Sequence, residues 1–323
     1  MPGSALIAIG GNSLIRAGEK GSITEQTANA RRVSKAIAGL LAQGFRIVIT
    51  HGNGPQVGAA LLRSERAAGQ VYEQGLDVCV ASTQGEIGYL LQQALEQEIH
   101  EAGLPNQVAT VLTQVVVDPE DPAFANPTKP VGPFFSRAAA DEKTRLFGWT
   151  MVEDASRGYR RVVPSPEPLE IVEEELIRRI LTQEILAIAV GGGGIPVVRR
   201  DGELRGVDAV IDKDRASVLL ALRLPVDLLV FATGADYICL NFRKPDQRAL
   251  IRVGVSELRG YYESGQFPPG SMGPKVEAAM RFLEGGGKRV IVTSDDHLVD
   301  AVRGAYGTHV VPDSDLGSSR AEL

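Results

Sequence analysis

Along the 323 residues, short apolar runs alternate with longer amphipathic stretches. That is the pattern of strands separated by crossover helices, and it predicts a mostly parallel sheet. The strand candidates are ALIAI at 5–9, FRIVIT at 45–50, QVATVLT at 107–113, ILAIAV at 185–190, VDLLVFA at 226–232, RVIVTS at 289–294 and THVVP at 308–312. Several of them run into glycine: Gly10 and Gly11, Gly52 and Gly54, Gly191 to Gly194, and Gly234. Open α/β sheets bind ligands beyond the carboxyl ends of their strands, where loops bring backbone N–H groups close to an anion. Glycine loops repeated at one sheet edge therefore predict one extended site.

Helices fill the intervals. Ser22 with Glu25 three residues on forms a capping box, Val33, Ile37, Leu40 and Leu41 make the apolar face behind it, and Gly44 stops the helix. Further helices are expected near 82–102, 168–183, 214–223, 274–284 and 295–303. Residues 118–168 break the pattern, because eight prolines bracket a charged and aromatic stretch that does not read as a crossover helix. A long interruption of this kind inside a compact domain is usually functional or disordered. The matching proline-rich ends predict a small subdomain, from about Asp118 to Pro168, that leaves the sheet and returns with few core contacts.

Composition narrows the function. Lys and Arg total 34 against 40 Asp and Glu, a formal net charge of -6 with no long run of either sign, which argues against a nucleic-acid surface or a membrane-binding face. Cys79 and Cys239 are far apart and lack partners at metal-ligand spacing, which suits a reducing compartment. The N-terminus enters strand pattern by Ala5 without a basic stretch and apolar core, and no apolar run approaches the length of a membrane span. A cytoplasmic protein is expected.

The glycine loop at Gly10, Gly11 and Asn12 suggests phosphate binding, yet no lysine stands beside it and Ala8 occupies the strand before it. THGNGPQVG, Thr50 to Gly58, is a second loop of this kind: Gly52 and Gly54 permit close backbone approach, Asn53 offers donors and acceptors, and Pro55 suits a first helical turn. His51, a single histidine at a strand end, is read as structural. GGGGIPVV lacks the last glycine of a dinucleotide fingerprint and is followed by a strand-like run, which excludes a Rossmann oxidoreductase. GGGKR at 285–289 follows a helix and has Arg289 where a phosphate loop needs Ser or Thr, so it reads as a helix C-cap. In VDAVIDKDRAS, Lys213 is flanked by Asp212 and Asp214 at the start of a helix; Asp214 is either the N-cap or an orienting carboxylate. In PGSMGPK, Lys275 stands in a first helical turn, where a cation opposes the helix dipole and needs a compensating anion.

The motifs IGGNSL, THGNGPQVG, TQVVVDPEDPAF, NPTKPVGPF, VVPSPEP, GGGGIPVV, VIDKD, GADYICLN and PGSMGPK, in this order and spacing, resemble the carbamate kinases of the amino-acid kinase superfamily, from Ala5 to about Pro312. The resemblance implies one α/β domain over 1–323, a three-layer αβα sandwich around a mainly parallel open sheet, with the protruding subdomain inserted in it. It implies transfer of a phosphoryl group between ATP and carbamate, giving ADP and carbamoyl phosphate, run toward ATP in catabolism by a homodimer with Mg2+ held mainly through nucleotide phosphates. Where superfamily relatives place a lysine in the first strand, this group supplies one from the subdomain, here Lys129. Lys129, Lys213 and Lys275 would surround the transferred phosphate and Asp214 would orient the lysines. Gly10, Gly11, Asn12, Gly52 and Asn53 would hold carbamate or the phosphoryl group in the N-terminal half. The nucleotide would lie in the C-terminal half against Thr233, Gly234, Asp236, Tyr237, Gly270, Ser271 and Met272. Ser13 departs from the more usual alanine and is expected to add a hydroxyl near the ligand. A superfamily kinase acting on another small carboxylate should lack NPTKP and VVPSPEP, and a non-catalytic regulator of the same fold should have lost a lysine or Asp214; all are present.

Overall fold

Every residue of Ser4–Ile9 is buried, the pattern of a strand covered on both faces, and this strand, β1, lies inside the main sheet. The computed structural model describes residues 3–16, 18–153, 158–268 and 272–316. From β1 the chain passes through a single helical turn, Gly11–Leu14 (α1), into Ile23–Leu41 (α2), Arg46–His51 (β2), Gly54–Arg66 (α3), Leu76–Glu101 (α4), Val108–Thr110 (β3) and Gln114–Val117 (β4). The proline-flanked stretch forms Lys129–Phe135 (β5), Arg137–Phe147 (α5), Thr150–Glu153 (β6) and Tyr159–Val163 (β7). Then follow Pro168–Ile171 (β8), Glu174–Thr182 (α6), Leu186–Ile188 (β9), Ile195–Arg200 (β10) and Glu203–Gly206 (β11). The C-terminal half adds Lys213–Arg223 (α7), Leu228–Thr233 (β12), Ile238–Leu240 (β13), Arg248–Leu250 (β14), Arg252–Gly254 (β15), Val255–Glu263 (α8), Met272–Glu284 (α9), Arg289–Ser294 (β16), Leu298–Val302 (α10) and Thr308–Val311 (β17).

The main sheet has the order β15-β17-β16-β12-β1-β2-β9-β3, and only the β16–β17 pair is antiparallel. All seven apolar runs of the sequence lie in it; the eighth strand, β15, has three residues and too little apolar pattern to read. Alternate residues of the strands feed two cores. Ile7, Ile9 and Ile49 pack with Val33 and Ile37 of α2, Ile87 and Leu91 of α4, and Leu298 of α10. Leu6, Ala8, Val48 and Phe231 pack with Ile177 of α6, Leu220 of α7, Leu258 of α8 and Phe282 of α9. The result is the three-layer α/β arrangement expected. The capping box at α2 is present, with the Glu25 N–H donating to Ser22 Oγ and the Ser22 N–H to Glu25 Oε2.

Two helix boundaries differ from the sequence reading. The helix expected over 168–183 begins only at Glu174, and Pro168–Ile171 is instead strand β8, paired antiparallel with β4 in a four-stranded sheet of order β11-β10-β4-β8. Prolines at 164, 166 and 168 fix φ and remove amide donors, which keeps this stretch extended. The helix expected from 82 begins at Leu76, where Leu76, Cys79 and Val80 are buried.

Within the 118–168 segment, β5, β7 and β6 form their own antiparallel sheet. The expectation of few core contacts is corrected. Val131 and Val163 are buried with Val57 of α3 and Val80 of α4. Gly58 of α3 abuts Gly132 so closely that a Cβ on Gly58 would lie 2.2 Å from the Gly132 Cα. Among the described residues no helix is long and apolar enough to cross a membrane.

Candidate active site

The carboxyl ends of β1 and β2 lie side by side, because the two strands pair in parallel register from Ser4 opposite Arg46 to Ile9 opposite His51. Their glycine loops therefore meet: a Cβ on Gly52 would stand 2.9 Å from the Gly11 nitrogen. The loop after β9 closes in from the other side, where Gly192 has φ +67 and a Cβ there would lie 2.2 Å from Asn53 Nδ2. Only glycine satisfies both the positive φ and the close approach at 192. The cavity left beside these loops has a volume of about 300 Å3. That suits a small ligand or the phosphate end of a larger one.

Besides the single turn α1, three longer helices begin at this cavity, through Gly54 and Pro55 of α3, Lys213 of α7, and Pro274 and Lys275 of α9. Helix N-termini carry partial positive charge and unpaired N–H groups, so their convergence favours an anion. Lysines add full charges. Lys213 Nζ is 3.0 Å from Asp214 Oδ1 and lies 3.4 and 3.3 Å from the carbonyl oxygens of Ala8 and Ile9. The strand that carries no lysine of its own thus receives one from α7. Lys275 Nζ donates to Asp214 Oδ2 at 3.0 Å, so Asp214 is the anion that offsets this cation in the first turn of α9. Lys129, at the start of β5, reaches the same cavity and donates to Asp212 Oδ2 at 2.5 Å.

The structure settles what caps α7. Asp212 is the N-cap, with Oδ1 accepting from the backbone nitrogens of Asp214 at 2.9 Å and Arg215 at 3.3 Å. Asp214 lies one position inside the helix and bridges two ammoniums instead. Burial opposes its ionisation, but Lys213 and Lys275 outweigh it and hold the carboxyl well below the usual range. Burial pushes the Lys213 ammonium down, with Asp214 opposing the shift. Burial also opposes ionisation of Asp212, and Lys129 brings that carboxyl down in turn.

Of the residues singled out in the sequence, Gly10, Gly11, Gly52, Asn53, Lys129, Lys213, Asp214 and Lys275 line the one cavity. Asn12 lies in α1, and its backbone alone is described. Thr233 ends β12, the neighbour of β1 on its other side, where the Gly10 N–H donates to the Ala232 carbonyl at 2.9 Å. Thr233, Gly234, Asp236, Tyr237 and Met272 do not line the lysine cavity. Tyr237 packs on Tyr306 at 5.0 Å between centroids, and Tyr306 stacks on His297 at 3.7 Å. Met272 opens α9 and packs against the core. Gly270 and Ser271 fall outside the described residues.

Ser13 is a correction. It is buried, and its hydroxyl donates to Asp295 Oδ1 at 2.9 Å behind the glycine loop instead of lining the cavity. Burial raises the Asp295 carboxyl, and Ser13 opposes that shift. His51 is buried beside Gly52 and Gly191, and burial takes it down to about 4, as a neutral structural histidine. Sequence reasoning missed Arg160, which lines the cavity from β7 and donates from Nε to the Gly132 carbonyl at 3.2 Å. No cap or loop motif marks it in GYRRVV. It also named Asp212 only as a flank of Lys213, because the partner lies 83 residues away.

Residues 4–294 match the amino acid kinase family. A carbamate kinase of Thermococcus kodakarensis is 48% identical over 310 residues, 95% of this chain and 98% of the relative. Carbamate kinase 1 of Enterococcus faecium is 49% identical over 295 residues, 91% of this chain and 94% of the relative. Among solved structures, carbamate kinase from Giardia lamblia bound to AMP-PNP superposes with a TM-score of 0.90 at 43% identity, covering 97% of this chain and 99% of that one.

Proposed function

The chain belongs to the amino acid kinase family and, within it, to the carbamate kinases, and on that premise we propose that its lysine cavity carries phosphoryl transfer between ATP and carbamate. The observation that carries the assignment to this cavity is the convergence of Lys129, Lys213 and Lys275, from three distant parts of the chain, on the loops at Gly10 and Gly52. Phosphoryl transfer asks little covalent chemistry of a protein; its barrier falls through in-line positioning and through charge placed around the transferred oxygens. Gly10, Gly11, Asn12, Gly52 and Asn53 hold carbamate or the carbamoyl end of carbamoyl phosphate. Lys129, Lys213 and Lys275 surround the phosphoryl group in flight. Asp214 touches two of these ammoniums and fixes their directions, so the site is organised before charge develops.

The nucleotide lies toward the C-terminal half, against Thr233, Gly234, Asp236, Tyr237 and the segment from Gly270 through Ser271 to Met272. A Giardia lamblia relative binds AMP-PNP, which supports a nucleotide partner. Mg2+ would be held mainly through the nucleotide phosphates and water. Bound there, Mg2+ neutralises phosphate charge. The segment 118–168 acts as a subdomain that delivers Lys129, the assembly is a homodimer, and the enzyme works in the cytoplasm toward ATP. The decisive assay couples ATP formation from ADP, carbamoyl phosphate and Mg2+ to a dye-linked kinase. Turnover is expected with carbamoyl phosphate and not with acetyl phosphate; the reverse preference overturns the reading.

A further inference from the structure

Two carboxylates flank Lys213 in the sequence, yet Asp212 bonds to Lys129. We propose that Asp212 is a positioning residue for Lys129: through its two oxygens it aligns the ammonium of the inserted segment with the first turn of α7. This rests on the phosphoryl-transfer reading of the same cavity.

Asp212 Oδ1 accepts from two backbone N–H groups of α7, which fixes the plane and direction of the carboxylate. Its other oxygen then has one place to point, and Lys129 Nζ meets it there. The carboxylate side chain is 14% exposed while that of Lys129 is 34% exposed. The ammonium is therefore anchored on its inner side and keeps protons for the cavity. The segment's other described ion pairs are Lys143 and Arg161 with Glu65 of α3, at 3.8 and 3.6 Å, and Glu167 with Arg215 of α7, at 3.3 Å, and with Arg281 of α9; none of them involves β5. Among the described residues, the Asp212 contact is the ion pair that registers β5 against α7, where Lys213 and Asp214 stand. Charge arithmetic gives the same picture. Lys129, Arg160, Lys213 and Lys275 against Asp212 and Asp214 make four positive charges against two negative, a net +2 that receives a phosphate. Asp212 also competes with that phosphate for Lys129, so it opposes loose ground-state binding while fixing the geometry in which transfer occurs.

The test is Asp212→Asn, since Asn caps a helix about as well as Asp, with Asp212→Ser as a second capping, uncharged variant should the first not fold. Displacing a charged group by an ångström costs on the order of 100-fold in rate, so kcat for ATP formation should fall about 10- to 100-fold. KM for carbamoyl phosphate should fall, and the ADP Kd from calorimetry should stay within about twofold. In a Lys129→Ala background the same change should lower kcat less than about twofold, because there is no ammonium left to position. The proposal is overturned if Asp212→Asn keeps wild-type kcat, or if its effect multiplies undiminished with that of Lys129→Ala. Wild-type protein inactive with carbamoyl phosphate would instead overturn the functional reading.

Discussion

Asp214→Asn isolates what one buried charge does, because the cap of α7 belongs to Asp212 and is unaffected by the change. The amide keeps the size of the carboxylate, but one end becomes an N–H donor that faces an ammonium at a spacing now 3.0 Å on both sides. Each contact has a gross attraction of about 5 kcal/mol at an effective dielectric of about 20, most of it offset by desolvation. Removing one partner of a buried pair leaves the other uncompensated and typically costs about 3 to 5 kcal/mol. Here two ammoniums are stranded, with side chains 11% and 15% exposed, and the adjoining cavity admits water, so a loss near about 3 kcal/mol in urea unfolding is expected. Activity should suffer more: each displaced donor costs about 100- to 1000-fold in kcat. The pH profile supplies a separate readout. Burial already depresses Lys213 and Asp214 opposes that shift, so without the carboxylate Lys213 loses its proton at lower pH. Residual activity of the variant should therefore rise as pH falls, relative to wild type. A variant with normal urea midpoint and kcat within tenfold of wild type in the coupled assay would refute the reasoning.

Lys129→Ala should lower kcat by about 100-fold or more and leave ADP affinity by calorimetry unchanged, since the residues proposed to hold the nucleotide do not line the lysine cavity; a weakened ADP Kd would contradict it. Ser13→Ala removes the hydroxyl that donates to buried Asp295 and should cost about 1 to 3 kcal/mol in urea unfolding. KM for carbamoyl phosphate should not change, because Ser13 does not line the cavity. His51 stays neutral in the fold down to about pH 4, while in the unfolded chain it takes a proton near pH 6.5. Its contribution is complete above about pH 6.5 and is lost as pH falls toward 4, by at most about 3 kcal/mol. His51→Gln should flatten this part of the stability profile followed by chemical denaturation, and an unchanged slope would place the titration elsewhere.

The sequence by itself determined the sheet and the chemistry of the loops. Seven apolar runs became seven strands of the main sheet, because a strand covered on both faces must be apolar throughout and stands out against polar surroundings. Gly52 and Gly192 were legible because close backbone approach excludes every other residue. Pairing between distant side chains was not legible. Which aspartate caps α7 and which bridges two lysines depends on where β5 and α9 come to lie, and VIDKD permits either arrangement. Ser13 reads as a ligand-facing hydroxyl beside GGN, yet the turn of α1 points it at Asp295, 282 residues later. Arg160 carries no local mark at all and reaches the cavity only because β7 pairs with β5. Periodicity and glycine are local consequences of burial and sterics, whereas an ion pair is settled by the packing of elements that the chain brings together from far apart.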